Sequence, residues 1–504
     1  MTMKQWLAAA AAGTLASLPL AYFWGFSVDD AWIVTRVVQH GLESSRFAFN
    51  PTGPVTDAIT PYGYAQLVAG ATRATRLPPF LVARLVGVAA ALGCLFLVSA
   101  RVFAGGSTPM RWVTFVAVAW TLVPFHAWAG AGLETPIVAL LVLLGLWGAE
   151  GPRPLLGAFW LSLACAWRPE LVPVSVVGLW RLSSGSWRRR TGYGAVLFVV
   201  PAIVAALRWW QFGSLVPLAF VAKAPDPGSG LRYALGGLSF LGVSWLLAFL
   251  PATRRVWTAR VLLGTHAFAL LLAGGDWMPF FRLYAPLLPW LCWAVVVEGP
   301  RGWRLAMAAP FALAGPALLV AGLGSEARAV IEHRFEWIER GRPLLEDASV
   351  IAAVDIGWLG QATSAEIVDL AGVTDPRIAR LSGSHTDKAL SPGLFAARNV
   401  DAWVIRAQGT TAAPEGLREL SCVYSVDQRL LGGAEDMGFV AVGKIPIPGT
   451  AGHYVVARLK PRIRRPRGCR RSRPWARPGP TTREPRGDHV HSRSVRLVRL
   501  RSSC

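Results

Sequence analysis

Long apolar stretches recur along the first two thirds of the chain and are separated by short polar turns. A helix needs about twenty mostly apolar residues to cross the hydrocarbon core of a bilayer, which is roughly 30 Å thick. By this measure the pattern predicts a polytopic α-helical membrane protein with about eleven transmembrane helices. The predicted spans lie near residues 5–24, 80–100, 111–129, 133–149, 154–168, 169–182, 191–208, 231–250, 258–274, 281–297 and 303–322.

The pattern changes after the last of these spans. Short runs such as SVIAAVD, AEIVDLA, DAWVIRA, FVAVGKI and HYVVARL predict strands, and PRIARL and PGLFAARNV predict helices between them. We therefore predict a small C-terminal α/β domain at 326–458, which follows a transmembrane domain at 1–325 with a first external loop at 25–79. Residues 459–504 lack apolar periodicity and are predicted to be a basic, disordered tail.

Arginines collect in alternate turns between the predicted spans, as is typical of cytoplasmic turns. If the N-terminus is cytoplasmic, every inside turn is basic. These turns contain Arg101, Arg111, Arg153, Arg181, Arg188, Arg189, Arg190, Arg254, Arg255, Arg260, Arg301 and Arg304. Because the number of spans is odd, the α/β domain is then extracytoplasmic, and we expect a multi-pass protein of the plasma or inner membrane.

Composition supports a membrane protein, since 53% of the residues are hydrophobic and 16% are charged, against about a quarter in soluble proteins. The net charge of +22 does not predict a nucleic-acid partner, because residues 459–504 contribute +13 of it through 14 Arg and 1 Lys against Glu484 and Asp488. We expect an inert extension or translation in a shifted reading frame, and the alternative is a basic arm that binds nucleic acid or anionic lipids. The six cysteines lack CxxC spacing, so we expect no disulfide framework, metal site or cofactor.

The strongest local signal is the pair Asp29 and Asp30, directly after the first predicted span. Adjacent carboxylates beside a bilayer are costly unless they face water, a cation or a substrate. An aspartate there can act as a general base, with its pKa raised by apolar surroundings. The structural alternative is an acidic helix start, with Asp29 as a cap and Asp30 favoured by the helix dipole.

Six further polar residues fall on the same predicted side of the membrane: Glu134, Arg168, Glu170, Lys223, Asp276 and Arg282. Each has a structural explanation when taken alone, as a helix-terminal charge, an internal ion pair or a snorkelling anchor. Their convergence on one face suits group transfer from a lipid phosphate, because Arg and Lys bind phosphate and a carboxylate can deprotonate an incoming hydroxyl. We therefore predict that these six bind substrate or donor.

At these residues the sequence resembles the C-type superfamily of membrane glycosyltransferases, in the branch with the mycobacterial terminal arabinofuranosyltransferases. The resemblance covers most of residues 20–380. It rests on DDAWIVTRVVQHGLESSRFAFNPTGPVTDAITPYGYAQLV, GLET, RPE, WWQFGSLVPLAFVAK, GGDWMPFFRLYAPLLP and EIVDLAGVTDPRIAR. The chain departs from the family pattern at 216–218, where Val-Pro-Leu replaces Pro-Asn-Thr, and at 56–60, where Thr-Asp-Ala-Ile-Thr replaces a segment with Glu-Gly-Tyr-Thr.

The resemblance implies that domain 1–325 is catalytic and that Asp29 or Asp30 is the base. The donor would be a sugar linked to a polyprenyl phosphate, transferred with inversion to a glycan or lipid acceptor of the cell envelope. Some branches of the superfamily use a divalent cation and others do not, so a cation stays open. Two alternatives are a transporter or flippase of a lipid-linked or anionic substrate, and a non-catalytic assembly protein. Transporters place charges near the bilayer midplane within repeated halves, and no repeat is evident here.

Overall fold

The computed structural model describes residues 1–106, 108–223, 226–299, 303–409 and 416–460. Residues 1–460 form one compact unit. The predicted tail at 459–504 lies, apart from its first two residues, outside the described part of the chain.

The chain is mostly helical, as predicted, with a small sheet region near the C-terminus. Sixteen helices precede the first strand in the described residues. They are α1 Met3–Tyr22, α2 Asp29–Ser44, α3 Tyr64–Thr75, α4 Pro79–Ala104, α5 Pro109–Trp120, α6 Val123–Ala129, α7 Thr135–Glu150, α8 Pro154–Trp167, α9 Val172–Leu182, α10 Trp187–Phe212, α11 Leu218–Ala222, α12 Pro227–Phe240, α13 Gly242–Phe249, α14 Arg254–Leu272, α15 Leu288–Glu298 and α16 Trp303–Leu345.

Every predicted span overlaps a helix or a pair of helices, but the helices differ in how well they could cross a membrane. Within the described residues, three are long and apolar enough: α4, α10 and residues 306–345 of α16. Two bent pairs, α5 with α6 (66°) and α12 with α13 (69°), raise the number to five if each pair counts as one span. The structure therefore contains three to five candidate apolar spans.

Helix α16 continues well past the end of the last predicted span. Its second half, SEARAVIEHRFEWIERGRPLL, is polar, and ion pairs such as Glu336 with Arg340 at 2.8 Å lie along it. Ion pairs between residues i and i+4 stabilise a helix whose surface is polar and exposed. The predicted domain boundary at 325/326 thus falls inside one continuous helix.

The sheet region combines parallel and antiparallel pairing in the order β2-β1-β3-β6-β5, with β4 beside β3. Strands β1, β2 and β3 are parallel, whereas β6 and β5 are antiparallel additions. The elements are β1 Val350–Ala353, α17 Ile356–Ala362, β2 Glu366–Asp369, α18 Pro376–Ala379, α19 Gly393–Ala397, β3 Ala402–Gln408, β4 Ser421–Cys422, α20 Ser425–Asp436, β5 Phe439–Pro446 and β6 His453–Leu459. Five strands and two helices lie where the sequence predicts them; α17, α20 and the two-residue β4 were not predicted.

One face of the sheet packs against the helical region. Ile351, Val404 and Val456 of this face share a buried cluster with Trp32 of α2 and Trp337 of α16. The opposite face, which includes Trp403, packs against α19 and α20. Alternating side chains of a strand point to opposite faces, so both faces are apolar and both are covered. This arrangement fixes the sheet region beside α2.

Helix α2 holds both ends of the short helix α17. The carboxylate of Asp29 accepts hydrogen bonds from the first turn, at Gly357 N (2.6 Å) and Trp358 N (3.0 Å). The guanidinium of Arg36 donates to carbonyls at the other end, at Gly360 O (2.6 Å) and Thr363 O (2.7 Å). Seven residues are two helical turns, so both side chains lie on one face of α2, about 10 Å apart along its axis, which matches the length of α17.

We expect Arg36→Ala to loosen the sheet region from the helices. Arg36 is 2% exposed and also donates to Phe49 O and Ala365 O, so its loss leaves three buried carbonyls and the part-buried carbonyl of Thr363 without this donor. Unsatisfied buried acceptors of this kind should cost about 3 kcal/mol or more. The apparent melting temperature in detergent should fall and proteolysis near residues 346–349 should accelerate, whereas the exposed Arg73→Ala control should behave as the parent. An unchanged melt would contradict this docking contact.

Candidate functional site

A cavity of about 310 Å³ lies between the helices and the sheet region. The helical side contributes α2, residues 58–61, the helix-flanking positions Glu134, Arg168 and Lys223, and Arg282, which begins a 3-10 helix (Arg282–Leu287). The sheet side contributes Asp355, Asp369, His385, Thr386 and Tyr424. Because polar groups from both sides face one space, the cavity is the candidate functional site.

The structure brings six of the eight predicted site residues into the cavity wall. These are Asp29, Asp30, Glu134, Arg168, Lys223 and Arg282. The other two, Glu170 and Asp276, lie behind the wall, where each contacts an arginine of the wall. Their direct contact with a substrate stays a prediction, but both are placed to orient an arginine.

The two adjacent aspartates have different environments. Both carboxylate oxygens of Asp29 are occupied by the backbone N–H groups of α17, and Arg334 Nε lies 3.8 Å away. Burial raises the pKa of Asp29 to about 6, against the lowering effects of Arg334 and the two N–H donors. The structural alternative in which Asp29 caps α2 is therefore wrong: the N-cap of α2 is Val28, and the Asp29 carboxylate caps α17 instead.

The Asp30 carboxylate is half-buried in the cavity wall. Among the described residues it has no hydrogen-bond or ion-pair partner within the usual distances. Asp30 follows Asp29 in the first turn of α2, so its side chain points about 100° away from α17. Of the two aspartates, Asp30 is the one available to a ligand.

Three cations line the cavity on the helical side. Arg168 forms ion pairs with Glu134 and, at 3.6 Å, with Glu170. These three residues lie at the ends of α7 and α8 and in the turn that follows α8, so several helices deliver them to one place.

The other two cations differ in their contacts. Arg282 pairs with Asp276 at 2.8 Å and lies over the Trp128 ring. Burial alone would raise the pKa of Asp276, but Arg282, Lys223 and Arg168 together hold it below its usual value. Among the described residues, Lys223 Nζ has no hydrogen-bond or ion-pair partner. It is the cation of the wall that is free to bind an anion.

The sequence interpretation missed the contribution of the sheet region to the cavity. Asp355 accepts hydrogen bonds from Tyr424 Oη (2.8 Å) and Tyr454 Oη (2.7 Å), and Asp369 accepts from the backbone of Ala371 and Thr374. These carboxylates are therefore committed to internal contacts. Asp355 follows β1 and Asp369 ends β2. Residues at the carboxyl ends of adjacent parallel strands lie together, which is the signal that could have found them.

A buried ion pair also fixes the segment between α2 and α3. Arg208 Nε of α10 donates to Asp57 Oδ2 at 2.9 Å, and both side chains are buried. Asp57 stands in the segment where the sequence departs from the family pattern. The pair holds Ala58–Pro61 against the cavity, and sequence spacing alone gives no hint of a contact across 151 residues.

No group of three or more His, Cys, Asp or Glu side chains suited to a metal ion occurs within the described residues. No protein-family model, no curated protein and no solved structure matches this chain. The chemistry of the site therefore has to be inferred from its geometry and from the resemblance of the motifs.

We expect Asp29→Asn and Asp30→Asn to separate stability from function. An amide at position 29 keeps one acceptor oxygen and turns an NH₂ group toward an N–H of α17, so about 1–3 kcal/mol should be lost. The same change at position 30 removes no internal hydrogen bond. Thermal unfolding in detergent should show a lower melting temperature for Asp29→Asn only; equal effects of both variants would contradict the assignment.

Proposed function

We propose that this protein is a membrane glycosyltransferase that transfers a sugar from a polyprenyl phosphate to a hydroxyl of an extracytoplasmic glycan or lipid acceptor, with inversion. The observation that carries the proposal is the available carboxylate of Asp30 in the same cavity as the available cation Lys223. A base and an anion-binding group in one enclosed space are the two requirements of transfer from a lipid phosphate. The motif resemblance supplies the substrate class.

The proposed reaction is a single displacement. Asp30 accepts the proton of the acceptor hydroxyl while the hydroxyl oxygen attacks the anomeric carbon of the donor. The bond between that carbon and the phosphate oxygen breaks, and polyprenyl phosphate leaves with the electron pair. Lys223, with Arg168 and Arg282, would stabilise the negative charge that develops on the phosphate. The leaving group is a weak base, so no general acid is needed.

Glu134, Glu170 and Asp276 take a positioning role in this scheme. Each forms an ion pair with Arg168 or Arg282, which restricts the guanidinium groups to one orientation. Preorganised cations cost little reorganisation when charge develops in the transition state. Asp29 has a similar supporting role, because it fixes the start of α2 and thereby the direction of Asp30.

We propose that the eleven helical segments all span the membrane, with a cytoplasmic N-terminus and an extracytoplasmic sheet region in the plasma or inner membrane. The surface of α10 supports a lipid environment. Only 17% of the residues in its most apolar stretch are buried, and Ile203, Trp209 and Trp210 are exposed. An apolar face of this length is unfavourable in water but stable in lipid. A helix of fewer than about twenty residues can still belong to a membrane span if the turns beside it cover the rest of the hydrocarbon thickness.

Transport of a lipid-linked or anionic substrate is the second candidate, because bent helices such as α5–α6 and α12–α13 occur in transporters. In transporters such breaks line the substrate site. Here no residue of either bent pair lines the cavity, so this feature does not favour transport. Purified protein that moves a lipid-linked or anionic substrate across a vesicle membrane but transfers no sugar would favour this second candidate.

Replacement of Asp30 by Asn should abolish transfer. Loss of a general base lowers the rate by about 10²–10⁴-fold, with little change in the KM for the donor. The assay is sugar transfer from polyprenyl phosphate to acceptor by purified protein in detergent or lipid. The matched control is Glu43→Gln, an exposed carboxylate of α2 that does not line the cavity. Wild-type turnover by Asp30→Asn would rule out Asp30 as the base.

Cysteine labelling tests the proposed topology. Pro54 and Ser186 are both exposed, so Pro54→Cys and Ser186→Cys should be accessible to a maleimide. In a variant without Cys422, Cys469 and Cys504, a membrane-impermeant maleimide should label position 54 on intact cells and position 186 only after permeabilisation. Labelling of both positions from the same side would refute the arrangement of spans.

A further inference from the structure

Besides Asp30 and Lys223, the cavity wall contains a third side chain with unused hydrogen-bonding groups, and it comes from the sheet region. His385 lines the cavity, and among the described residues its ring nitrogens have no hydrogen-bond partner. Burial, and then the nearby charge of Lys223, lower the pKa of His385 to about 4, so the imidazole is neutral near pH 7. A neutral imidazole offers one donor and one acceptor to a ligand.

The loop that carries His385, residues 381–390, is held in one conformation. Lys388 is 1% exposed, and its Nζ donates to Ala379 O and Leu381 O, each at 3.0 Å. Gly383 has φ +99°, and a Cβ there would lie 1.9 Å from Asp387 O, so the turn requires glycine. Asp387 in turn pairs with Arg429 of α20. These contacts shape the loop that places His385 at the cavity wall.

Lys223 and the His385 loop are braced against each other. Lys223 directly follows α11, and Leu218 and Ala222 of α11 pack on Ala379 of α18 in a buried apolar cluster. Ala379 is also one of the carbonyls bound by Lys388. The packing of α11 on Ala379 thus positions both Lys223, on the helical side, and the loop that carries His385, on the sheet side.

We propose that Lys223 and His385 form a two-residue clamp for one phosphate group, which bridges the helical region and the sheet region. This inference rests on the proposed function and names the site of its donor phosphate. Lys223 supplies a compact positive charge and His385 a directed N–H, two donors that suit neighbouring oxygens of a phosphate. The phosphate could belong to a polyprenyl lipid or be free inorganic phosphate, and competition distinguishes the two.

The test is binding of farnesyl phosphate to the purified full-length protein, with farnesol and inorganic phosphate as competitors. His385→Ala and Lys223→Ala should each weaken farnesyl phosphate binding about tenfold or more, the usual effect of losing a hydrogen bond to a charged group. His385→Gln keeps a donor and should weaken binding less. The double variant should lose less than the product of the single effects, because both groups hold the same phosphate.

Two matched controls lie outside the cavity wall, His333→Ala on α16 and Lys460→Ala after β6, and both should bind as the parent. Farnesol should compete poorly. If inorganic phosphate competes as well as farnesyl phosphate, the clamp exists but its ligand is free phosphate. Unchanged binding in both His385→Ala and His385→Gln would overturn the clamp.

Failure of the clamp and failure of the proposed function give different results. Asp30→Asn should bind farnesyl phosphate like the parent while it fails to transfer sugar. Binding that depends on Lys223 and His385 in a protein with no transferase activity would refute the proposed function and retain the clamp. Normal sugar transfer, together with farnesyl phosphate binding that does not change in the His385 variants, would refute the clamp and retain the proposed function.

Discussion

The hydrogen bonds from Asp29 and Arg36 of α2 to the two ends of α17 are the interaction on which the candidate site depends. A carboxylate at the N-terminal end of α17 and a guanidinium at its C-terminal end complement the two poles of the helix dipole. They also satisfy backbone groups that a seven-residue helix cannot satisfy internally. Together with the apolar cluster around Trp32 and Trp337, this contact holds the sheet region over the segment between α2 and α3, where it forms the second wall of the cavity.

The same contact explains why two neighbouring aspartates have different environments. A helix turns by about 100° per residue, so the residue after one that faces α17 must face elsewhere. Asp29 faces α17, and Asp30 faces the cavity. Asp29 is therefore a structural carboxylate, and its neighbour Asp30 is available to a ligand. The hydrogen bonds of Asp29 to α17 fix the first turn of α2 and thereby the direction of the Asp30 side chain.

Much of this architecture follows from local sequence pattern, and the parts that do not have an identifiable reason. The five longer strands have alternating or apolar runs bounded by turns, which are local signals, and the structure confirms them. Helix α17 was not predicted because its seven residues are too short to show a helical period. Its capping carboxylate is Asp29, 328 residues away from Gly357, and local spacing does not reveal such a contact. The extension of α16 was missed because the apolar criterion ends where its polar half begins.

In the candidate site too, local sequence identifies some residues, whereas others are placed by contacts between distant segments. The sequence identified Asp30, Glu134, Arg168, Lys223 and Arg282 as unusual charges beside apolar helices, and all of them line the cavity. It could not identify His385, because the loop of this residue has no periodic pattern and gains its shape from the buried amine of Lys388. Contacts between distant segments, such as Arg208 with Asp57, are likewise invisible to local spacing.

We propose that the cavity between the helices and the sheet region is the site of reaction. The sharpest test is an experimental structure of the full chain in a lipid nanodisc with a polyprenyl phosphate. We expect phosphate density in the cavity, within hydrogen-bond distance of Lys223 and with the Asp30 carboxylate facing the same space. A ligand bound elsewhere on the protein with this cavity empty, or the sheet region undocked from α2, would contradict it.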